Sequence, residues 1–326
     1  MGWDRVFGHE LQKSFFQRIL ALKRVHHAYL LSGPSGIGKR TLALEVAKVL
    51  LCLDSREESC NRCKSCKLFE RSLHPDFFFL NPEGDSLGIE AARDLVKKLS
   101  LKRVLSPFRV GVIDEAEKLT EEAANCLLKT VEEPKEGVVL FIVTSRVSAL
   151  PETLISRCQK VVFSPLSEVS VEQYLREEKG LEPDRARFLA LLSGGSIGQA
   201  LFLASRREGI LEEVQNFFKG VQNPKSIFEL GPWLSEHRED LPTFLSFILR
   251  LLRDALFLSF SEGDPVPLFN LPEDVQSVVQ NLALWGREKL LRSITSLETF
   301  LEDLSLNVQW DIASFHFLLQ FGGEKL

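Results

Sequence analysis

The 326-residue sequence has no long uninterrupted hydrophobic run and no excess of positive charge. Its most hydrophobic stretch, residues 244–260, is interrupted by Arg250, Arg253 and Asp254, which predicts a helix buried in protein and argues against a membrane span. The first residues, Met1–Arg5, have mixed polarity and form no apolar targeting segment. A net charge of −5 offers no general attraction to nucleic acid. We therefore expect a cytoplasmic protein without membrane contacts, whose contact with DNA is shared with other chains.

The first half of the chain alternates short apolar runs with helical patterns, and no internal repeat or low-complexity tract interrupts it. The predicted strands are Ala28–Ser32, Phe77–Leu80, Arg109–Ile113, Val138–Thr144 and Val161–Phe163. Strands that alternate with helices predict an α/β fold with a parallel sheet covered on both faces. One helix has well-marked ends, because Thr120 is a suitable N-cap for residues 121–132 and Pro134 follows them.

The strand pattern ends after Ser164-Pro165, and only helical patterns follow. We predict three domains: an α/β domain over residues 1–164, a small helical lid domain over 165–206 and an all-helical collar domain over 207–326. A chain of this length with 44% hydrophobic residues can bury the cores that such a division requires.

A glycine-rich loop follows the first predicted strand and leads into a helix. Residues 33–41 read Gly-Pro-Ser-Gly-Ile-Gly-Lys-Arg-Thr, which matches a phosphate-binding loop (P-loop) except at one position. In such a loop the glycines let backbone N–H groups point at phosphate oxygens, and the lysine adds a positive charge for the outer phosphates. The candidate nucleotide-binding residues here are Gly33, Ser35, Gly36, Gly38, Lys39 and Thr41. A fortuitous glycine-rich loop is the alternative interpretation.

The exception is Arg40, which stands where the magnesium-binding hydroxyl of a P-loop belongs. Thr41 lies one residue further on, about 100° round a helix, so it does not simply replace that hydroxyl. The loop is therefore compatible with binding of ATP and magnesium, but hydrolysis is a separate question that the sequence leaves open.

Acidic residues follow the third predicted strand, as a P-loop ATPase requires at the edge of its sheet. In that role Asp114 assists the magnesium ion, and Glu115 orients or deprotonates the attacking water. Thr144, at the end of the next strand, is a candidate polar sensor of the γ-phosphate. A solvated turn is the alternative for the acidic pair.

Four of the six cysteines are close together in the sequence: Cys52, Cys60, Cys63 and Cys66. Two interlocked Cys-x-x-Cys steps let thiolates converge on one tetrahedral ion, and the polar residues between them have little core of their own. The pattern predicts a structural zinc module at about residues 52–66, in which four thiolates leave no open position for water. A redox pair or disulfides are the alternative.

Six sequence segments occur in an order that resembles a known family. They are Gly33–Thr41, the four-cysteine cluster, His74–Asp76, Asp114–Glu117, Leu127–Pro134 and Leu150–Cys158. Over about residues 5–202 the chain resembles the bacterial DNA polymerase III clamp-loader subunits of the AAA+ class, whereas the helical remainder fits the family's collar domain only in general character. The resemblance implies the AAA+ fold and a place in a hetero-oligomeric ring with tau/gamma and delta subunits, which loads a sliding clamp onto primed DNA.

Two departures from the ATP-hydrolysing tau/gamma type favour the delta-prime branch of this family. Arg40 replaces the Ser or Thr after the P-loop lysine, and Gly198 stands where the second-domain arginine of tau/gamma belongs. In the delta-prime branch the arginine of the Ser-Arg-Cys motif reaches into the ATP site of the neighbouring subunit, and here that residue is Arg157. Without the surrounding motifs, Arg157 would be interpreted as an ordinary surface arginine that caps a helix.

The resemblance implies a stator-like subunit with little or no ATPase activity alone and an arginine finger at Arg157. A self-sufficient ATPase motor is the alternative, with Lys39, Asp114 and Glu115 catalytic and Thr41 or water completing the magnesium shell. A zinc-dependent DNA-binding module is a third hypothesis, which the acidic composition and the filled zinc site disfavour.

Overall fold

The computed structural model describes residues 2–322 except 56, 83, 85, 206–209, 223–226, 237–240, 261–272 and 306–308. The chain divides into two compact units, residues 1–180 with 194–198, and residues 181–193 with 199–326. The predicted division at residues 164 and 206 into lid and collar domains stays a prediction, and its second boundary lies outside the described residues.

The first unit contains a five-stranded parallel sheet in the order β2-β3-β4-β1-β5. The strands are β1 Ala28–Ser32, β2 Phe77–Leu80, β3 Arg109–Ile113, β4 Val138–Thr144 and β5 Gln159–Val162. The first four have the predicted bounds. The prediction for the fifth is wrong at both ends, because β5 begins at the polar residues Gln159 and Lys160 and ends before Phe163. An edge strand exposes such residues to solvent, so an apolar run does not mark where it begins.

In the described part of the first unit, α-helices accompany the sheet. They are α1 Glu10–Ala21, α2 Lys39–Leu51, α3 Lys64–Glu70, α4 Ile89–Ser100, α5 Glu121–Glu132, α6 Glu152–Ile155 and α7 Glu168–Lys179. The predicted bounds of α5 are confirmed, and the Thr120 side chain accepts a hydrogen bond from the Ala123 N–H as an N-cap.

Buried side chains from the sheet pack into a core on each of its faces. Tyr29 and Leu31 of β1 join one core with α1 and α2, whereas Leu30 joins the other with α4 and α5. The alternation follows from the two-residue period of a strand. The prediction of a sheet covered on both faces is confirmed, and this arrangement leaves the strand ends as the places where polar groups can gather.

The second unit is helical throughout its described residues. Its helices are α8 Pro183–Leu192, α9 Ile197–Ser205, α10 Ile210–Gln222, α11 Ile227–Glu236, α12 Leu241–Leu258, α13 Glu273–Ala283, α14 Arg287–Ser305 and α15 Trp310–Gly322, and the first two residues of α9 belong to the first unit. Leucines and phenylalanines make up much of its core, where the Phe300 and Phe317 rings stack with centroids 4.5 Å apart. Within the part of the chain that the structure describes, none of the helices has the length and apolar character needed to span a membrane.

Candidate functional site

The P-loop joins the carboxyl end of β1 to the first turn of α2. Gly36 and Gly38 have φ angles of +71° and +105°, which side-chain-bearing residues rarely adopt. Lys39 is buried, and its Nζ donates hydrogen bonds to the carbonyls of Gly33 at 2.6 Å and Pro34 at 2.5 Å. Burial lowers the pKa of the Lys39 ammonium, and the nearby charges of Glu117 and Asp114 oppose that shift.

Arg40 and Asp114 form an ion pair beside this loop. An Nη1–Oδ2 distance of 3.4 Å separates them, and the guanidinium also lies over the Phe79 ring, 4.6 Å from its centroid. Burial raises the pKa of Asp114, and the charges of Arg40 and Lys39 oppose that rise. Arg40 supplies no oxygen for a metal ion, and its guanidinium already partly compensates the Asp114 charge.

Glu117 is a polar residue of this site to which the sequence motif assigned no role. Its carboxylate accepts hydrogen bonds from the Thr144 hydroxyl at 2.8 Å and from the Ser145 N–H at 3.1 Å. Burial alone would raise the pKa of Glu117, but these bonds and one from the Ser145 hydroxyl outweigh it, so the pKa is lowered. Glu115 instead pairs with Lys118 at 2.8 Å.

The backbone at Glu115 explains why these two carboxylates differ. Glu115 adopts a left-handed conformation with φ of 46°, and a single 3-10 turn over Ala116–Lys118 follows it. This turn directs Glu117 toward Thr144 at the end of β4. The alternation of side chains along a strand could not predict that Glu117, and not Glu115, contacts Thr144. This contact depends on a left-handed backbone conformation that glutamate rarely adopts.

His9 also contacts the P-loop, and no sequence pattern pointed to this contact. Its Nε2 lies 2.6 Å from the Ile37 carbonyl, and the ring packs edge-on against Phe163 with centroids 4.9 Å apart. Burial lowers the pKa of His9, so the ring is neutral near pH 7. Because a carbonyl only accepts, Nε2 carries the proton of this tautomer.

Residues 194–198 of the first unit pack directly on the P-loop. The Gly198 N–H donates to the Gly36 carbonyl at 2.8 Å, and the Ser196 hydroxyl donates to the Ser35 carbonyl at 3.0 Å. A Cβ atom at Gly198 would lie 2.8 Å from the Gly36 Cα, which is too close for any side chain without backbone movement. The second-domain arginine of the tau/gamma pattern therefore has no room at this position.

The four clustered cysteines converge in space as predicted. The Sγ atoms of Cys52, Cys60, Cys63 and Cys66 all lie within 4.8 Å of one another. A tetrahedral ion with metal–sulfur bonds of about 2.3 Å places its ligand sulfurs about 3.8 Å apart, and Cys60 and Cys66 are 4.0 Å apart. The donor set fits a metal ion such as zinc.

Backbone N–H groups support the cysteine sulfurs. The Cys66 N–H points at the Cys63 Sγ and the Cys63 N–H at the Cys60 Sγ, each at 3.4 Å. Burial acts to raise the pKa of Cys63, but N–H groups directed at its sulfur lower it to about 7. Such bonds stabilise thiolates, which is the form that binds metal.

Buried polar contacts attach the cysteine module to the rest of the first unit. Ser59 donates to Glu45 of α2 at 2.9 Å, and the fully buried Lys48 of α2 contacts Asn61 and Glu70. The helix that begins at the P-loop therefore also carries the module, and Cys52 directly follows its last residue.

Arg157 follows the short helix α6 and is partly exposed. Its Nη2 pairs with Glu132 Oε1 at 2.8 Å, and its Nη1 donates to the Thr153 carbonyl at 2.8 Å. Among the described residues, its polar partners belong to α5, α6 and the turn after α6, and none belongs to the chain's own P-loop. The next residue, Cys158, packs against the core, and burial raises the pKa of its thiol to about 11.

Comparison with known proteins places these features in a family. A family model described as DNA polymerase III, delta subunit, matches residues 8–167. The delta' subunit of DNA polymerase III from Bacillus subtilis (strain 168) is 30% identical over 88% of this chain and 92% of its own length. The chain belongs to the DNA polymerase III delta-prime family.

Further relatives belong to the same polymerase. The delta' subunit of Escherichia coli (strain K12) is 32% identical to this chain. The match covers 72% of this chain and 70% of the Escherichia coli protein. The gamma subunit of Buchnera aphidicola subsp. Acyrthosiphon pisum (strain APS) is 32% identical over 67% of the chain and 60% of its own length. The predicted family is confirmed, as is the predicted α/β fold with a parallel sheet. The roles of individual residues in this delta-prime family member stay predictions.

The structure brings two sets of predicted residues together in this delta-prime family member. Lys39, Asp114 and Thr144 gather where β1, β3 and β4 end, and the four cysteines form one cluster. Thr41, at the third position of α2, is exposed to solvent. Glu115 is turned toward Lys118, away from the Thr144 hydroxyl that contacts Glu117.

Proposed function

We propose that this protein is the stator-like delta-prime subunit of a DNA polymerase III clamp loader. In this role it helps to load the sliding clamp onto primed DNA during replication, and it supplies Arg157 to the ATP site of a neighbouring subunit. It has little or no ATPase activity alone. The observation that carries the proposal is the ion pair between Arg40 and Asp114, at the place where an ATPase needs a hydroxyl and a free carboxylate for magnesium.

The contacts of the P-loop support a structural role for it. Lys39 is bonded to the carbonyls of Gly33 and Pro34, and the Gly36 carbonyl accepts from Gly198. A nucleotide would have to compete with these bonds for the lysine, and it would find no arginine at position 198. These hydrogen bonds hold the P-loop and the start of α2 in one conformation. This suits a subunit that keeps its conformation while its neighbours hydrolyse ATP.

Arg157 is the residue with which this chain would act on ATP. A guanidinium delivered in trans stabilises the charge on the transferring phosphoryl group, which is worth roughly 10³-fold or more in rate. The partial exposure of Arg157 and its position outside the chain's own P-loop contacts suit an arginine that serves a neighbour. Hydrolysis would then depend on correct assembly of the ring.

The partners follow from the same proposal. The relatives named above include delta' and gamma subunits, so we expect a hetero-oligomeric ring with tau/gamma and delta subunits. The helical second unit would contribute collar contacts. The clamp and the primer-template DNA would be met through the complex, because the acidic chain has no general attraction to DNA. Zinc in the cysteine cluster would be structural.

An autonomous ATPase motor is the second candidate. It is favoured by the placement of Lys39, Asp114 and Thr144 at the ends of their strands, as in a working P-loop site. It would require a nucleotide to draw Lys39 away from its carbonyl partners, and magnesium to displace Arg40 from Asp114.

Magnesium-dependent ATP turnover separates the two candidates. The isolated chain is assayed beside Lys39→Ala, and the reconstituted complex is assayed with wild-type, Arg157→Ala or Arg176→Ala protein. Arg176 is a matched control, since it is also an exposed arginine paired with a glutamate. The stator proposal expects no turnover above that of Lys39→Ala in isolation, and in the complex a roughly 10³-fold loss with Arg157→Ala alone. Isolated turnover that Lys39→Ala abolishes would establish the motor instead.

A further inference from the structure

We propose that Glu132 is a positioning residue that orients Arg157 for its task at the neighbouring ATP site. The inference rests on the proposed function of Arg157 and adds a second residue of this chain to it. The observation behind it is the ion pair in which Glu132 Oε1 lies 2.8 Å from Arg157 Nη2.

The contacts favour one orientation of the guanidinium. Nη2 is held by Glu132, while Nη1 donates to the Thr153 carbonyl at 2.8 Å and lies 3.4 Å from the Ser156 hydroxyl. A guanidinium carries five N–H donors in a rigid fork, so donors remain for a phosphate oxygen after these contacts are made. Glu132 and Thr153 thus orient the guanidinium and leave some of its N–H donors available to a phosphate.

Both partners stand on backbone that the core holds in place. Glu132 is the last residue of α5 and follows the buried Val131, while Arg157 lies two residues after Ile155, the last residue of α6. Val131 and Leu154 belong to the same hydrophobic core, so the two side chains extend from one packed platform. A long arginine side chain is otherwise free to sample many rotamers, and restricting them favours the productive geometry.

The exposure of the pair decides whether it orients or restrains the arginine. The side chains of Arg157 and Glu132 are 39% and 44% exposed, and ion pairs of this kind are weak. A phosphoryl group with more than one negative charge would readily outcompete the single carboxylate, so the pair is too weak to hold the arginine back. It is strong enough to bias its rotamers, and loss of Glu132 should therefore slow the neighbour's ATPase.

The test is a double-mutant cycle in the complex reconstituted with tau/gamma and delta subunits. Glu132→Gln removes the charge and keeps the shape, and Arg157→Ala removes the partner. The matched control is Glu133→Gln, since Glu133 is the next residue and forms no ion pair in the described part of the chain. Steady-state kcat and KM for ATP are measured with the clamp and primed DNA present, and assembly is checked by gel filtration.

We expect Glu132→Gln to lower kcat by about two- to fivefold, the range that one exposed ion pair can supply, while KM and assembly stay unchanged. Glu133→Gln should match wild type, and Glu132→Gln should have no further effect on the Arg157→Ala background. An unchanged or higher kcat would overturn the inference, as would additive losses in the double variant. If Arg157→Ala leaves the rate unchanged, the arginine finger itself fails and Glu132 has nothing to position.

Discussion

Arg40 Nη1 lies 3.4 Å from Asp114 Oδ2, and the guanidinium stacks over Phe79 in the same environment. The pair joins the first turn of the P-loop helix to the residue after β3. Burial raises the pKa of Asp114 because it disfavours the charged carboxylate, and the charge of Arg40 opposes that rise. In this structure the guanidinium of Arg40 partly compensates the charge of the Asp114 carboxylate.

Arg40→Thr should restore the missing hydroxyl and release Asp114. We expect magnesium-dependent affinity for a fluorescent ATP analogue to rise by about two- to fivefold, because loss of one ion pair frees the carboxylate for the metal. Titrations with and without magnesium measure the change. Arg24→Thr, which removes an arginine on the loop before β1, should behave as wild type. Equal affinity for Arg40→Thr and wild type would show that position 40 does not control metal binding.

Gly198→Ala should destabilise the first unit, since its Cβ would lie 2.8 Å from the Gly36 Cα and backbone atoms cannot move as easily as side-chain ends. Overpacking of this kind costs about 1–3 kcal/mol. Urea unfolding measures the loss. The control is Gly84→Ala, where a Cβ would meet nothing within 4 Å, and its stability should stay within about 0.5 kcal/mol of wild type. A Gly198→Ala protein as stable as the control would mean that the P-loop and residues 194–198 separate readily.

The cysteine cluster should hold one zinc ion per chain, measured by mass spectrometry of the purified protein. Cys63→Ser should lose that zinc, because a serine hydroxyl is a poor substitute for a thiolate at a tetrahedral site. Cys126→Ser should keep it, since Cys126 lies in α5 outside the cluster. Chelation of the metal should lower the melting temperature of wild type and leave that of Cys63→Ser unchanged. Full zinc content in Cys63→Ser would disprove the four-thiolate site.

Local patterns predicted the parts of the fold whose residues are neighbours in sequence. The apolar runs predicted β1 to β4, and Thr120 with Pro134 predicted the ends of α5. Each of these patterns lies within or directly beside the element that it predicts. The cysteine cluster was equally local. The edge strand β5 was misjudged, because its exposed polar residues Gln159 and Lys160 carry no apolar pattern.

Pairings between distant segments could not be predicted in this way. The bond of Thr144 to Glu117 depends on the left-handed backbone at Glu115, and the contact of Gly198 with Gly36 depends on the absence of a side chain at both positions. Arg40 was recognised as an exception to the P-loop pattern, and Asp114 was expected at the same site, but the ion pair between them was not predicted.

Asp76 and Arg109 form the most deeply buried ion pair among the described residues, with Nη2 and Oδ1 2.9 Å apart. The Asp76 carboxylate also accepts from the N–H groups of Val104, Leu105 and Ser106. Burial alone would raise the pKa of Asp76, but these N–H groups and the guanidinium outweigh it and lower the pKa. Asp76 therefore binds a proton less readily in the folded chain than in the unfolded chain.

The depressed pKa of Asp76 fixes how stability should depend on pH. The ionised Asp76 contributes fully to the free energy of unfolding above the ordinary aspartate pKa. This contribution is lost as pH falls through that value toward the lower pKa of the folded chain. Asp76→Asn should cost about 3–5 kcal/mol at pH 7, because it leaves the buried Arg109 without its charge partner. The difference between the free energies of unfolding of wild type and Asp76→Asn, measured with urea, should stay constant down to about pH 5 and become smaller below it. Asp94→Asn, which removes an exposed partner of Lys98, should lie within about 0.5 kcal/mol of wild type throughout. A difference for Asp76→Asn that does not become smaller in acid would show that the loss comes from packing and not from the charge.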